Sequence, residues 1–189
     1  MKSIKNTAVV FLFSFVLMHP LAAGAAELGE IKFENRYKAP ETGLELRGVG
    51  LLRYLGVFKA YAGAFYLEEG APINQALADR AKRIEVEYFR SFKGEDFGPA
   101  TVEMMEKNVD KATIERLRQQ IDYHNSLYED VEPGDRYALT YIPGRGTELA
   151  LNGEPKGIIE GADFATALFS IWIGQKPIDE SFKRQIMGL

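Results

Sequence analysis

The sequence predicts an α+β domain built on an antiparallel sheet. Three patterns support this fold class: period-two alternation of apolar and charged residues, a central block of helical periodicity, and turn residues between the later strands. The 189 residues suit one domain, and a hydrophobic content of 46% is enough for a single core. The expected order is strands, a helical block, further strands and two closing helices.

The first residues have the pattern of a cleaved secretory signal. Two lysines precede the apolar run Ala8–Met18, the helix breaker Pro20 follows, and small residues occupy positions 23–25. A membrane anchor is the alternative, but a run of this length at ~1.5 Å per residue spans only about half of a ~30 Å hydrocarbon core.

We therefore predict a signal peptide over residues 1–25, with cleavage between Ala25 and Ala26, followed by a single domain over residues 26–189. The mature protein is expected in the periplasm or outside the cell. A bacterial lipid anchor would need a cysteine at the cleavage point, and the sequence has none, so no stable membrane anchor is expected.

The composition excludes several chemistries. Without cysteine there is no disulfide, cysteine nucleophile, cysteine-bound zinc, iron–sulfur centre or covalently attached haem. Of the two histidines, one precedes the predicted cleavage, and a single histidine cannot supply the pair that most zinc sites use. The net charge of −4 and the lack of a basic stripe disfavour nucleic acid as a partner. No cofactor or metal ion is expected.

Two strand regions open the predicted domain. Glu30–Lys38 alternates apolar and charged residues, as a half-buried strand does. Leu44–Leu67 is apolar, aromatic and rich in glycine, and it exceeds the usual strand length of ~3–10 residues, so we expect two strands that meet near Gly56. Its glycines indicate bulges or close packing against the backbone.

A short helix and a further strand follow. The helix is expected over Pro72–Arg80 and the strand over Arg83–Ser91. Alternation places the apolar residues of this strand on one side, so that Glu85 and Glu87 are expected to face solvent on the other.

Helical periodicity covers Ala100–Asn108 and Lys111–Tyr128, and the apolar stripe of the second segment should lie on the sheet. His124 belongs to this segment. A surface position is favoured over a catalytic role for His124, because the chain has no nucleophile elbow of the G-x-S-x-G type.

Three strands joined by tight turns are expected next: Arg136–Ile142, Thr147–Leu151 and Gly157–Ile159. The turns at Pro143–Gly146 and Asn152–Gly153 contain the residues that hairpins prefer. Two closing helices are predicted over Asp163–Trp172 and Ile178–Met187.

Three cations interrupt an otherwise apolar stretch. Arg47, Arg53 and Lys59 lie within Leu44–Leu67 beside several tyrosines, and a buried guanidinium is costly unless it meets an anion. In one interpretation the cations extend from strand edges or pair with nearby glutamates. In the other, apolar walls surround a hydrocarbon or ring system while arginine and tyrosine bind a carboxylate or oxyanion. The residues alone leave both open.

Three longer motifs resemble a known family. They are GVGLLRYLGVFKAYAGAFYL, PGDRYALTYIPGRGTELALNGEPKGIIEG and DFATALFSIWIGQKPIDESFKRQIMG. Together they are similar to the bacterial exported branch of the chalcone isomerase-like superfamily, over about Leu44 to Leu189. The resemblance implies an open-faced β-sandwich of the chalcone isomerase type, in which a helical layer covers a large antiparallel sheet and the ligand cleft lies between the two.

The resemblance also implies candidate site residues. The family arginine on the first long strand corresponds to Leu52 or Arg53, and we choose Arg53, with Arg47 second. The family threonine on the next strand corresponds to Tyr61, and a later threonine corresponds to Lys156. Chalcone isomerases use the arginine to stabilise a phenolate and a developing enolate, whereas fatty-acid binders of the superfamily use it on a carboxylate.

The replacement of the two family threonines by Tyr61 and Lys156 favours the interpretation that this is an exported protein that binds a small amphipathic ligand, a fatty acid or related carboxylate, without catalysis. Its predicted ligand-binding residues are Arg53, Tyr61, Arg47 and Lys156. The alternative is an isomerase, an intramolecular lyase that acts on a chalcone-like enone through an oxyanion stabilised by Arg53. A third hypothesis docks the apolar helix Asp163–Trp172 on a protein partner, although core burial of that helix is favoured.

Overall fold

The structure is a computed structural model that describes residues 25–40, 42–54 and 57–189. These ranges contain nine strands: β1 (Ala25–Leu28), β2 (Ile31–Glu34), β3 (Arg36–Lys38), β4 (Gly43–Tyr54), β5 (Phe58–Glu68), β6 (Lys82–Tyr88), β7 (Arg136–Ile142), β8 (Gly146–Leu151) and β9 (Glu154–Ile159). They also contain five α-helices: α1 (Gly94–Glu106), α2 (Lys111–Arg116), α3 (Arg118–Ser126), α4 (Ala162–Ile173) and α5 (Glu180–Ile186).

The main sheet is a seven-stranded antiparallel meander. Strands β3 to β9 pair in sequence order, while β1 and β2 form a separate hairpin. Helices α1 to α3 connect β6 to β7, and α4 and α5 follow β9. At the last turn Asn152 and Gly153 adopt φ values of 52° and 84°, the left-handed region that a two-residue hairpin requires. The predicted α+β class, with its large antiparallel sheet and helical layer, is confirmed.

The helices cover one face of this sheet. Four buried side chains stand in one row across β5 to β8, each opposite the next: Phe65, Ile84, Leu139 and Leu149. The helical layer contributes its own buried apolar side chains to the same core: Ile114, Leu117, Ile121, Phe164, Leu168, Phe169 and Phe182. Full burial of one such side chain contributes about 1.5–3 kcal/mol, so this interface supplies much of the stability. The predicted core burial of the helix containing Phe164 and Phe169 is confirmed.

Glycines let α5 approach the sheet closely. A Cβ at Gly48 would lie 2.2 Å from the Gln185 carbonyl oxygen, and a Cβ at Gly63 would lie 2.6 Å from Cζ of Phe182. Neither distance leaves room for a side chain, so the helix can pack here only because both residues are glycine. The strand irregularity between Leu46 and Gly48 adds a bulge at the same place. The interpretation of these glycines as bulges and close approaches is confirmed.

A second, smaller core lies on the opposite face of the sheet. The β1–β2 hairpin covers this face with Ile31 and Phe33, and Phe33 is completely buried. Ala62, Ala64 and Tyr66 of β5 lie beneath the hairpin in the same apolar cluster. The sheet is therefore covered on both faces along β5 and β6.

Four charged side chains form ion pairs on this second face of the sheet. Arg136 Nη1 is 2.6 Å from Glu85 Oε1, and Arg136 Nη2 contacts Glu87 Oε2. Arg83 Nη2 lies 2.9 Å from the other oxygen of Glu85. The glutamate side chains are only 11% and 18% exposed. The prediction that Glu85 and Glu87 face solvent is wrong, because the hairpin covers them and two arginines compensate their desolvation.

Several predicted segments have different bounds in the structure; the helix predicted over Ala100–Asn108, for instance, is α1 and begins at Gly94. Glu30–Lys38 divides at Asn35 into β2 and β3, which pair with different strands. Lys111–Tyr128 divides at Leu117, whose φ and ψ of −90° and 5° lie outside the helical region. Pro72–Arg80 forms only one 3₁₀ turn, with no side-chain cap and no buried residue to stabilise a longer helix.

His124 lies inside the helical layer rather than on its surface. The residue is 0% exposed, and its ring is 5.0 Å from the Tyr128 ring and 5.6 Å from the Phe164 ring of α4. The predicted surface position is wrong, because α4 packs over this side of α3. Within the described part of the chain Nε2 of His124 has no hydrogen-bond partner, while Nδ1 is 3.3 Å from Oδ1 of Asn125.

The predicted signal peptide lies outside the described residues except for its last position. Ala25 is the first residue of β1 and pairs with Glu34. Across the described ranges, no helix has both the length and the apolar character needed to cross a membrane.

Candidate functional site

Tyr61 is a buried polar residue near one end of β5, on the side of the sheet that faces the helical layer. The Trp172 indole Nε1 donates a hydrogen bond of 3.0 Å to the Tyr61 hydroxyl. The Tyr61 ring meets Tyr88 edge-on at 5.7 Å and Phe182 at 5.5 Å. Burial raises the pKa of the Tyr61 phenol, so it stays neutral at physiological pH. A phenol oxygen that accepts from Trp172 keeps its own hydrogen as a donor.

A small cavity lies between the sheet and the helices, and two of its lining residues, Tyr88 and Trp172, also contact Tyr61. Its volume is about 30 Å³, and it is lined by Ile84, Val86, Tyr88, Tyr128, Tyr137, Leu139, Leu149 and Trp172. Pockets for small molecules usually measure ~300–1,000 Å³. The aromatic rings therefore fill most of the cleft that the family resemblance predicts, and the remaining space suits a water molecule or two.

Arg53 does not share a face with Tyr61. The residue paired with Tyr61 across the strands is Leu52, which is buried in the helix-facing core. The next residue, Arg53, points to the opposite face, where it is exposed and lines a groove of about 720 Å³ beside the β1–β2 turn. A ligand held against Tyr61 is thus separated from Arg53 by the sheet.

The other two predicted ligand residues have local partners elsewhere. Arg47 lies at the β-bulge and its Nη2 donates to the carbonyl oxygens of Glu68, at 3.1 Å, and Ala71, at 2.9 Å. Lys156 lies on β9, with Nζ 2.9 Å from Glu129 Oε1. Four strands separate β4 from β9 in the sheet. The structure therefore does not bring Arg53, Tyr61, Arg47 and Lys156 together, and their binding roles stay predictions.

Sequence reasoning missed a buried cation on the helix-facing side. Lys82 is 0% exposed, and its Nζ donates to the Ala78 carbonyl oxygen at 2.7 Å. The ammonium also lies 5.2 Å from the Tyr141 ring centroid and 5.6 Å from that of Phe169. Burial lowers the pKa of Lys82 to about 8, against the opposing effect of Asp79. The two rings and the carbonyl stabilise the ammonium at the end of the sheet remote from Tyr61.

The described residues provide no evident metal site. Among them, no group of three or more histidine, aspartate or glutamate side chains is placed to bind an ion. Phenols, an indole and one lysine are among the polar groups at the sheet–helix interface, and they can hydrogen-bond to an organic ligand.

A model of chalcone isomerase-like proteins matches residues 25–188. The chain belongs to the chalcone isomerase-like family. Every described strand and helix lies within the matched stretch. The family resemblance inferred from the three motifs is confirmed.

A solved structure supports the fold of this chalcone isomerase-like domain. The fatty-acid binding protein AtFAP1 of Arabidopsis thaliana superposes with a TM-score of 0.67 and covers 87% of this chain and 96% of its own. The two sequences are 16% identical, so the likeness concerns the fold alone. No curated protein matches this sequence. The predicted chalcone isomerase type of fold is thus confirmed.

Proposed function

We propose that this chain binds a small amphipathic ligand, a fatty acid or related carboxylate, between the sheet and the helices without catalysis. The observation that supports it most directly is the buried, neutral Tyr61 phenol on the helix-facing side of the sheet, whose hydrogen stays available as a donor while Trp172 donates to its oxygen. The fold likeness to a fatty-acid binding protein favours the same class of ligand.

Tyr61 supplies the polar end of the proposed site. Its phenol hydrogen can donate to a carboxylate oxygen, and a hydrogen bond to a charged group is stronger than one between neutral groups. The apolar helix-facing row of β5 continues from Tyr61 to Leu67, roughly 20 Å at ~3.3 Å per residue. This length is comparable with that of an extended acyl chain. The cavity is smaller than such a ligand, so binding requires the helical layer to move away from the sheet.

Calorimetric titration of residues 25–189 with palmitate tests this proposal. We expect one palmitate to bind. Tyr61→Phe keeps the ring but removes the donor, so we expect about tenfold weaker binding. Arg53→Ala is the matched control on the opposite face and should leave the affinity unchanged. An unchanged affinity in Tyr61→Phe with a loss in Arg53→Ala would move the ligand to the outer groove, and a wild type that binds no palmitate would overturn the proposal.

The same protein tests the isomerase alternative. An oxyanion-stabilising arginine must lie beside the reacting oxygen, and Arg53 is on the face opposite to Tyr61. We therefore expect the absorbance of an added chalcone to stay constant with time. Turnover that Arg53→Ala abolishes would contradict the non-catalytic proposal.

We also propose that the protein is exported to the periplasm or secreted. The support is the sequence of two lysines, an apolar run and small residues before Ala26. Intact-mass measurement of the protein isolated from its natural source should give a chain that begins at Ala26. A chain that retains residues 1–25 would contradict cleavage.

A further inference from the structure

The β4–β5 hairpin exposes apolar side chains at its end. Tyr54 is 66% exposed, Val57 70% and Phe58 48%. Seven large hydrophobic side chains are exposed in the described part of the chain, and three of them lie here, within five residues of sequence. Single exposed apolar residues need no explanation, but a contiguous group at the tip of a hairpin indicates a surface that contacts something apolar.

Exposed cations surround this apolar tip. Arg53 and Lys59 flank it on the two strands, and Arg90 follows β6 with its guanidinium 4.9 Å from the Phe58 ring. The Lys59 ammonium lies 5.4 Å from the Phe89 ring. Long basic side chains of this kind can place their stems along apolar surface while their charges extend to an anionic layer.

Few acids oppose these cations. Arg53 and Lys59 line the outer groove together with Glu30 and Glu87. Glu87 is already engaged by Arg136, so its charge is compensated. The tip is therefore locally cationic on a chain whose net charge is −4.

We propose that this hairpin tip docks on the surface of a lipid bilayer that contains anionic headgroups. Tyr54, Val57 and Phe58 would enter the boundary between headgroups and acyl chains, and the three cations would contact the phosphates. An apolar protein groove would leave the cations without anions, and an acidic protein surface would leave the apolar side chains without a partner. A bilayer with anionic headgroups satisfies both.

Vesicle flotation with residues 25–189 tests the docking. Vesicles contain equal parts of phosphatidylglycerol and phosphatidylcholine, or phosphatidylcholine alone. We expect binding to the anionic vesicles, weakened by added salt, and much less binding to the neutral ones. Arg53→Gln combined with Lys59→Gln should reduce the partition coefficient about 25-fold, since each basic residue near the surface contributes roughly a factor of five.

Val57→Asp tests the apolar contact and should also abolish most binding. Ile158→Asp is its matched control, because Ile158 is an exposed aliphatic residue on β9, which three strands separate from β5. It should bind as the wild type does. Palmitate affinity of Val57→Asp should be unchanged, so a failure of docking is distinguishable from a failure of ligand binding. A wild type that ignores anionic vesicles, or a Val57→Asp variant that binds them equally well, would overturn the proposal. The proposal would also be overturned if the wild type does not bind vesicles but self-associates, and if Val57→Asp abolishes that self-association.

Discussion

Replacing Arg136 by alanine is expected to lower the free energy of unfolding by about 3 kcal/mol. Arg136 lies between the carboxylates of Glu85 and Glu87, and its guanidinium is 5.0 Å from the buried ring of Phe33. Without it, two partly buried carboxylates face each other with Arg83 alone to compensate them. The loss is expected at the lower end of the range for buried ion pairs, because the Arg136 side chain is 30% exposed and water can enter.

Urea unfolding followed by the fluorescence of the single tryptophan measures this loss. Arg145→Ala is the matched control, since Arg145 is 44% exposed and lies 3.5 Å from Glu148. An exposed pair of this kind contributes less than about 1 kcal/mol. Equal losses in the two variants would show that the pairs under the hairpin stabilise the fold no more than surface pairs do.

Local signals in the sequence predict most of the sheet. The apolar, glycine-rich stretch Leu44–Leu67 gives the strand pair β4 and β5, because its length exceeds that of one strand. Turn residues at Asn152–Gly153 give the last hairpin, because asparagine and glycine readily adopt the positive φ values found there. These features depend on neighbours in sequence, so they can be read without knowledge of the fold.

What covers each face of a strand is not a local property. Alternation correctly separates Glu85 and Glu87 from the apolar side of β6, but it does not reveal that the β1–β2 hairpin covers the second face. That hairpin comes from the start of the domain, more than fifty residues earlier in the chain. The same limitation affects His124. The helical pattern predicts a surface position for it, but α4, which comes later in the chain, packs over it.

In the candidate site, a shift of one residue along a strand changes which side chain faces the ligand. The family arginine corresponds to Leu52 or Arg53, and adjacent strand residues face opposite sides, so this single choice decides whether an arginine meets Tyr61. A β-bulge between the pairs Leu52–Tyr61 and Arg53–Lys59 then brings Lys59 to the outer face with Arg53. Lys82 could have been found, since it is in phase with Ile84 and Val86 on the apolar side of its strand. A lysine in that phase predicts a buried ammonium.

His124 is expected to make the stability of this protein fall between pH 6.5 and pH 4. Burial lowers the pKa of His124 to about 4, against an opposing effect of the Asn125 side chain, while the unfolded chain has the ordinary value near 6.5. Between these values the unfolded state binds a proton that the folded state does not. Stability from this group is therefore complete above the unfolded pKa and decreases as the pH falls, by about 3 kcal/mol at pH 4.

His124→Phe isolates this contribution. Phenylalanine keeps an aromatic ring against Tyr128 and Phe164 but removes the titrating nitrogens, including the unpartnered Nε2. Carboxylates titrate in both proteins at low pH, so the quantity to compare is the difference in unfolding free energy between wild type and variant at each pH. We expect this difference to move by about 3 kcal/mol in favour of the variant from pH 7 to pH 4. A difference that stays constant would mean that water reaches the imidazole and that α4 does not seal this side of α3.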